Sequence, residues 1–167
     1  MKQRKYLLAL IVITLISPVG WAQNNNSVSV SNQNPISIDL SAIIKAGVHS
    51  EMVANNTQWI NYDLEINPAE PAATISVEIS SGNIPPGMEL YLQAGNYNGS
   101  GRGKAGRPTG KIRLDHMPNV LINDIGSSNT GHGKHKGHQL TLSMVITDFG
   151  LLQSGDYTIY LQFTLKQ

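Results

Sequence analysis

Residues 157–166 read Tyr157-Thr158-Ile159-Tyr160-Leu161-Gln162-Phe163-Thr164-Leu165-Lys166, an alternation with a period of two. Successive side chains of a β-strand point to opposite faces, so Tyr157, Ile159, Leu161, Phe163 and Leu165 share one face and the polar residues between them share the other. The same reading applies to Leu140, Leu142, Met144 and Ile146, to Ile75, Val77 and Ile79, and to Met88, Leu90, Leu92 and Ala94. Shorter strand candidates are Val28 to Val30, Ile36 to Leu40, Trp59 to Ile66, Lys111 to Leu114 and Val120 to Ile125. Turn-forming clusters separate them, among them Asn55-Asn56, Asn67-Pro68, Ser81-Gly82-Asn83, Pro85-Pro86-Gly87 and Ser154-Gly155-Asp156. About nine short strands between turns predict an all-β antiparallel sandwich, Ig-like or pilin-like, over 35–167. Outside the N-terminus no stretch keeps a helical period, and Leu40 to Ala46 offers one helical turn at most.

The N-terminus follows another logic. Lys2, Arg4 and Lys5 precede the apolar run Tyr6 to Ile16, and Ser17-Pro18-Val19-Gly20-Trp21-Ala22 places small residues around a cut after Ala22. This is the pattern of a signal peptide over 1–22, which predicts export to the periplasm, the outer surface or the medium. The run of 11 residues is well short of the roughly 20 that a membrane-spanning helix needs, and no later stretch is longer. Asn- and Ser-rich residues 23–34 then read as a flexible arm. The chain of 167 residues contains no cysteine, which excludes disulfides, thiolate metal sites and a cysteine nucleophile.

Cleavage would leave 145 residues, enough for one domain with its own core. It would also remove three of the 12 Lys and Arg and none of the 11 Asp and Glu, giving a net charge of −2. The remaining charge is segregated. Gln23 to Gly101 carries seven acidic residues against Lys45, whereas Arg102 to Lys136 carries Arg102, Lys104, Arg107, Lys111, Arg113, Lys134 and Lys136 against Asp115 and Asp124. Such a stretch is either a solvated loop face or an electrostatic footprint for an anionic partner.

Two segments interrupt the strand rhythm. Gly95 to Gly110 holds six Gly, three basic residues and one Pro in 16 positions, a flexible surface loop. Gly126 to His138 repeats His132, His135 and His138 at every third residue. Neutral imidazoles ligate zinc or copper, so the three histidines are candidate metal ligands, although Lys134 and Lys136 between them repel a cation. The seven basic residues can act as one ligand-binding patch only if the two loops share one end of the sandwich. Trp59 and Tyr62 beside Asn61 suit either stacking on a sugar or the core.

No G-x-S-x-G elbow and no H-E-x-x-H motif occurs, and the Gly-rich segment opens no helix that would cradle phosphate. Glu65, Glu70, Glu78 and Glu89 are scattered over strand candidates and loops. A non-enzyme without a cofactor is expected, with no nucleic-acid partner.

The stretches Asn55 to Tyr62, Ile79 to Gly87, Pro108 to Ile112, Ile125-Gly126, Thr130-Gly131 and Gly137 to Thr141 resemble a family of functionally uncharacterised secreted β-sandwich proteins of gram-negative bacteria. The resemblance spans Ser27 to Leu165 and implies fold and export but no reaction. His138 lies in a segment of the family type, whereas His132 and His135 are particular to this chain. More loosely, the strand opened by Gly155-Asp156-Tyr157 is similar to the last strand of fimbrial subunits, from which this chain differs in lacking Cys and in ending Thr164-Leu165-Lys166-Gln167. Two functions follow as expectations. One is a structural or adhesive cell-surface component, fimbrial-like or of matrix type, that partners itself or other subunits. The alternative is a secreted module whose basic loops capture anionic polysaccharide or phosphate-bearing ligands.

Overall fold

The computed structural model describes residues 8–15, 26–31, 36–39 and 51–167, with the backbone alone for 8–15, 37–39 and 51–53. The strands, in chain order, are β1 (Leu8–Leu15), β2 (Ser27–Val30), β3 (Ile36–Asp39), β4 (Glu51–Leu64), β5 (Ala73–Ser81), β6 (Met88–Ala94), β7 (Arg102–Gly103), β8 (Arg107–Pro108), β9 (Lys111–Arg113), β10 (Asn119–Ile125), β11 (Ser128–Asn129), β12 (His138–Ile146) and β13 (Asp156–Lys166). A 3-10 turn at Phe149–Leu151 is the one helical element among the described residues, and no helix there is long and apolar enough to cross a membrane. The segment Leu40 to Ala46 lies outside the described residues.

The expected all-β sandwich is what forms. Sheet A runs β3-β1-β13-β5-β10-β8, and sheet B runs β7-β11-β4-β12-β6-β9 with β2 added beside β4. The strand total exceeds the nine expected, because β1 and the two-residue strands β7, β8 and β11 carry no readable alternation. The pairing is antiparallel except between β1 and β13, which run parallel. Val28 and Val30 of β2 are buried against β4, so this part of the segment read as a free arm belongs to sheet B.

The alternating residues build the core as their period requires. Ile159, Leu161 and Phe163 of β13 are buried with Ile75, Val77 and Ile79 of β5 and with Leu90, Leu92, Leu140, Leu142 and Met144 from sheet B. Tyr157 and Leu165 are half-buried at the two ends of β13 and pack against this cluster. β4 is covered on both faces. Ile60, Tyr62 and Leu64 face the core, while Trp59 and Asn61 are buried outside the core cluster, beneath the loop 130–137.

β1 holds an interior place. Its register sets Ala9, Ile11, Ile13 and Leu15 opposite Tyr157, Ile159, Leu161 and Phe163, and its other edge pairs with β3 from Leu8↔Asp39 to Ile11↔Ile36.

Candidate functional site

The two irregular segments come together at one end of the sandwich. Arg102 of β7 pairs with Asn129 of β11 and Gly103 with Ser128. Beyond the Gly103 end of this ladder the Lys104 amide donates to the Ser127 carbonyl at 3.1 Å and the Gly126 amide donates to the Lys104 carbonyl at 3.0 Å. Gly103 has φ +85, and a Cβ there would stand 1.9 Å from the Ser127 oxygen, so this crossing admits only glycine.

Below the crossing lies a buried polar node. His138, the first residue of β12, is fully buried, with Nδ1 2.8 Å from the Gly95 carbonyl and Nε2 2.8 Å from the Tyr62 hydroxyl and 3.1 Å from the Ala105 carbonyl. A carbonyl only accepts, so Nδ1 carries a proton and donates to Gly95. The Tyr62 hydroxyl donates its one proton to the Ala105 carbonyl. One imidazole thus ties the start of the glycine-rich segment to its middle. Burial, reinforced by the nearby Tyr97, pushes the Tyr62 phenol far above its ordinary value and keeps it a neutral donor.

Two further braces link the loops. The Tyr97 hydroxyl donates to the Thr130 carbonyl at 3.4 Å and accepts from the Gly101 amide at 2.6 Å. Thr130 Oγ1 accepts from the Tyr62 amide at 2.9 Å and lies 3.1 Å from the Tyr62 carbonyl, which fastens the histidine loop to β4. Gly137 crosses β4 so closely that a Cβ would meet the Ile60 oxygen at 1.8 Å.

The seven candidate basic residues divide among four places. Lys104 forms an ion pair with Asp124, and Arg107 Nε lies 3.9 Å from the same carboxylate. Arg113 pairs with Glu89 at 2.9 Å, and Lys111 Nζ sits 4.6 Å from the centre of the Tyr91 ring. Lys134 Nζ lies 5.8 Å from the centre of the Trp59 ring. Arg102 and Lys136 are left, and they line one open cleft of about 530 Å³ together with Ser100, Asn129 and Thr130. The carboxylates respond to their partners. The Lys104 hydrogen bond holds Asp124 below the ordinary carboxylate range, and hydrogen bonds from Tyr91 and then Arg113 do so for Glu89.

The candidate metal ligands do not converge. His138 spends both nitrogens inside the domain, the His135 ring centre lies 4.5 Å from that of Trp59, and His132 is exposed on the loop. Among the described residues no group of three His, Cys, Asp or Glu is arranged to hold a metal ion. A second open cleft of about 550 Å³, with Asn56, Trp59, Asn96, Asn98, His135 and Gln139 in its wall, lies across the Gly99 and Lys136 backbone contact from the first. Trp59 is 6% exposed, because His135 and Lys134 lie over it.

Sequence reading missed Tyr97, Thr130 and the role of His138. A lone tyrosine in a run of Gly and Asn was the available signal, since a bulky ring in such a segment needs a place to pack. Comparison with protein-family models, characterised proteins and solved structures gives no match.

Proposed function

We propose that the chain is an exported, non-catalytic structural subunit of a cell-surface assembly, and that a strand supplied by another subunit completes its sandwich. One observation carries the reading. β1 is the apolar centre of the segment expected to leave at Ala22, yet it sits between β3 and β13 inside sheet A. Cleavage would open a slot one strand wide, with the edges of β3 and β13 unpaired beside the core residues Ile159, Leu161 and Phe163. Unpaired strand edges beside an apolar face are a template for strand addition from another chain. The loose similarity of the last strand to fimbrial subunits supports this reading, as does the signal-peptide pattern of residues 1–22.

The test uses the secreted protein, by N-terminal sequencing followed by size exclusion with light scattering. A chain beginning at Gln23 that self-associates, and that a peptide of residues 1–16 holds as a monomer, is the expected result. A secreted chain that still begins at Met1, or one that begins at Gln23 and stays monomeric without binding the peptide, would overturn the proposal.

A further inference from the structure

We infer that the cleft between the two loops is a binding site for a tetrahedral oxyanion, a sulfate or phosphate group, held between Arg102 and Lys136. The site lies apart from the β1 slot and does not depend on the assembly role.

The inference starts from a difference among cations that the sequence presents as equal. Lys104 and Arg107 share Asp124, and Arg113 has Glu89. Arg102 and Lys136 have no ion-pair partner among the described residues, they come from different loops, and they face the same cleft. Positive charge at this end of the molecule is therefore concentrated where the chain also leaves room for a small group. Arg102 brings a planar fork of N–H donors that matches two oxygens of a tetrahedral anion, and Lys136 brings a compact charge from the other wall.

Ser100 brings a hydroxyl to the wall, and Gly101 and Gly131 keep the cleft clear of side chains, while the Thr130 hydroxyl and the Gly101 and Gly131 amides are bonded to Tyr62, Tyr97 and Asn129 and hold the walls in place. A carboxylate stands beside the cleft at Asp63, whose Oδ2 accepts from Asn129 Nδ2 at 2.6 Å and is thereby partly occupied. Asn129 Oδ1 accepts from the Gly131 amide at 2.8 Å and fixes the turn below Lys136.

The cleft is also braced before any ligand arrives. The β7 and β11 ladder, the Tyr97 bonds to Gly101 and Thr130, and the Tyr62 and Thr130 pair all set its walls. A site whose loops are already ordered loses less conformational freedom on binding, so two exposed cations achieve more here than on mobile loops. An anionic ligand would moreover approach a positive cleft on a domain whose charge is otherwise mostly acidic, an arrangement that draws ligand to one place.

The experiment is an amide chemical-shift titration of the intact protein with sodium sulfate, sodium phosphate and a heparin tetrasaccharide, at two salt concentrations. Expected are shifts at Gly101, Asn129 and Gly131 and affinity that falls as salt rises. Arg102→Gln and Lys136→Gln should each weaken binding by about tenfold, the loss of one charge-assisted contact, while Arg113→Gln changes it by less than about twofold. Inorganic sulfate or phosphate binding as tightly as the tetrasaccharide identifies the free anion as the ligand. Much tighter tetrasaccharide binding identifies the ester on a saccharide, and either result supports the site. Both side chains are exposed, so the variants should fold, and a matching amide spectrum away from the cleft verifies it. Equal losses for Arg113→Gln and Arg102→Gln, or shifts spread over the basic surface with none centred on the cleft, would overturn the inference.

Discussion

Sheets A and B are joined by one core but held together in different ways. Sheet B has its principal strands, β4, β12 and β6, paired side by side, and its loop end is tied by His138, Tyr62, Thr130 and Tyr97. Sheet A carries β13, its longest strand, with β5 on one side and on the other only β1, a strand drawn from the extreme N-terminus. Sheet B draws none of its strands from residues 1–22, the segment proposed to be cleaved. Sheet A includes β1 from that segment, and this contrast underlies the proposed division between assembly at sheet A and ligand binding at the loop end of sheet B.

The largest effect is expected where the two sheets meet. Phe163 is fully buried opposite Leu15 in the β1 ladder and Val77 in the β5 ladder, so Phe163→Ala should lower stability by about 3–5 kcal/mol. Gln162, one residue away on the outer face, should change it by less than about 0.5 kcal/mol when replaced by Ala. Denaturant titration of the two variants checks this, and equal losses would mean that the faces of β13 are assigned wrongly.

A smaller and more local effect is expected in sheet B. Tyr62→Phe keeps the ring in the core but removes the hydroxyl shared by His138 and the Ala105 carbonyl, at a cost of about 1–2 kcal/mol. Hydrogen exchange should quicken around Gly95, Ala105 and Thr130 while β13 and β5 keep their protection. Equal loosening of both sheets would show that the loop end is not an independent unit.

Smallest is the response to acid. Asp124 and Glu89 titrate below their ordinary values in the folded state, so the stability they add is present above the unfolded value and is lost as pH falls through the folded one. Below about pH 4 the Lys104 and Arg113 pairs should therefore release, with a slight loss of stability that Asp124→Asn makes smaller. Both carboxylates are solvent-facing, which keeps the effect small. A rise in stability between about pH 5 and pH 3 would contradict the assigned direction.

Much of this architecture was legible because alternation is a local signal. The buried apolar sets on β5, β6, β12 and β13 are those that the period of two places on one face. The first half of β4 was not legible, since Glu51 to Gln58 has no alternation and Asn55-Asn56 reads as a turn. It is a strand because β12 imposes one, and the turn tendency survives as an irregularity. Between Leu140↔Gln58 and Leu142↔Asn55, β4 advances one residue more than β12, and the Thr57 amide donates to Asn55 Oδ1 at 3.0 Å. β1 was hidden for a different reason, because an apolar run suits an export signal and a buried strand equally well.

The site was less legible than the fold. Counting charge along the chain grouped seven cations, but Asp124 and Glu89 reach them from β10 and β6, and pairing of that kind belongs to tertiary structure. His138 resembled its neighbours His132 and His135 in spacing alone, and its burial follows from its place at the head of β12.

The most direct test of the strand slot is amide hydrogen exchange on the chain from Gln23 to Gln167, kept dilute and read residue by residue. In an interior strand successive amides point to alternate neighbours. With β1 gone, every second amide of β13 should exchange fast while those bonded to β5 stay protected, and β12, between β4 and β6, should be protected throughout its length. Adding the peptide of residues 1–16 or raising the protein concentration should restore the missing half. Uniform protection of β13 in the dilute chain, matching β12, would contradict the claim that this sandwich lacks a strand once its N-terminal segment is removed.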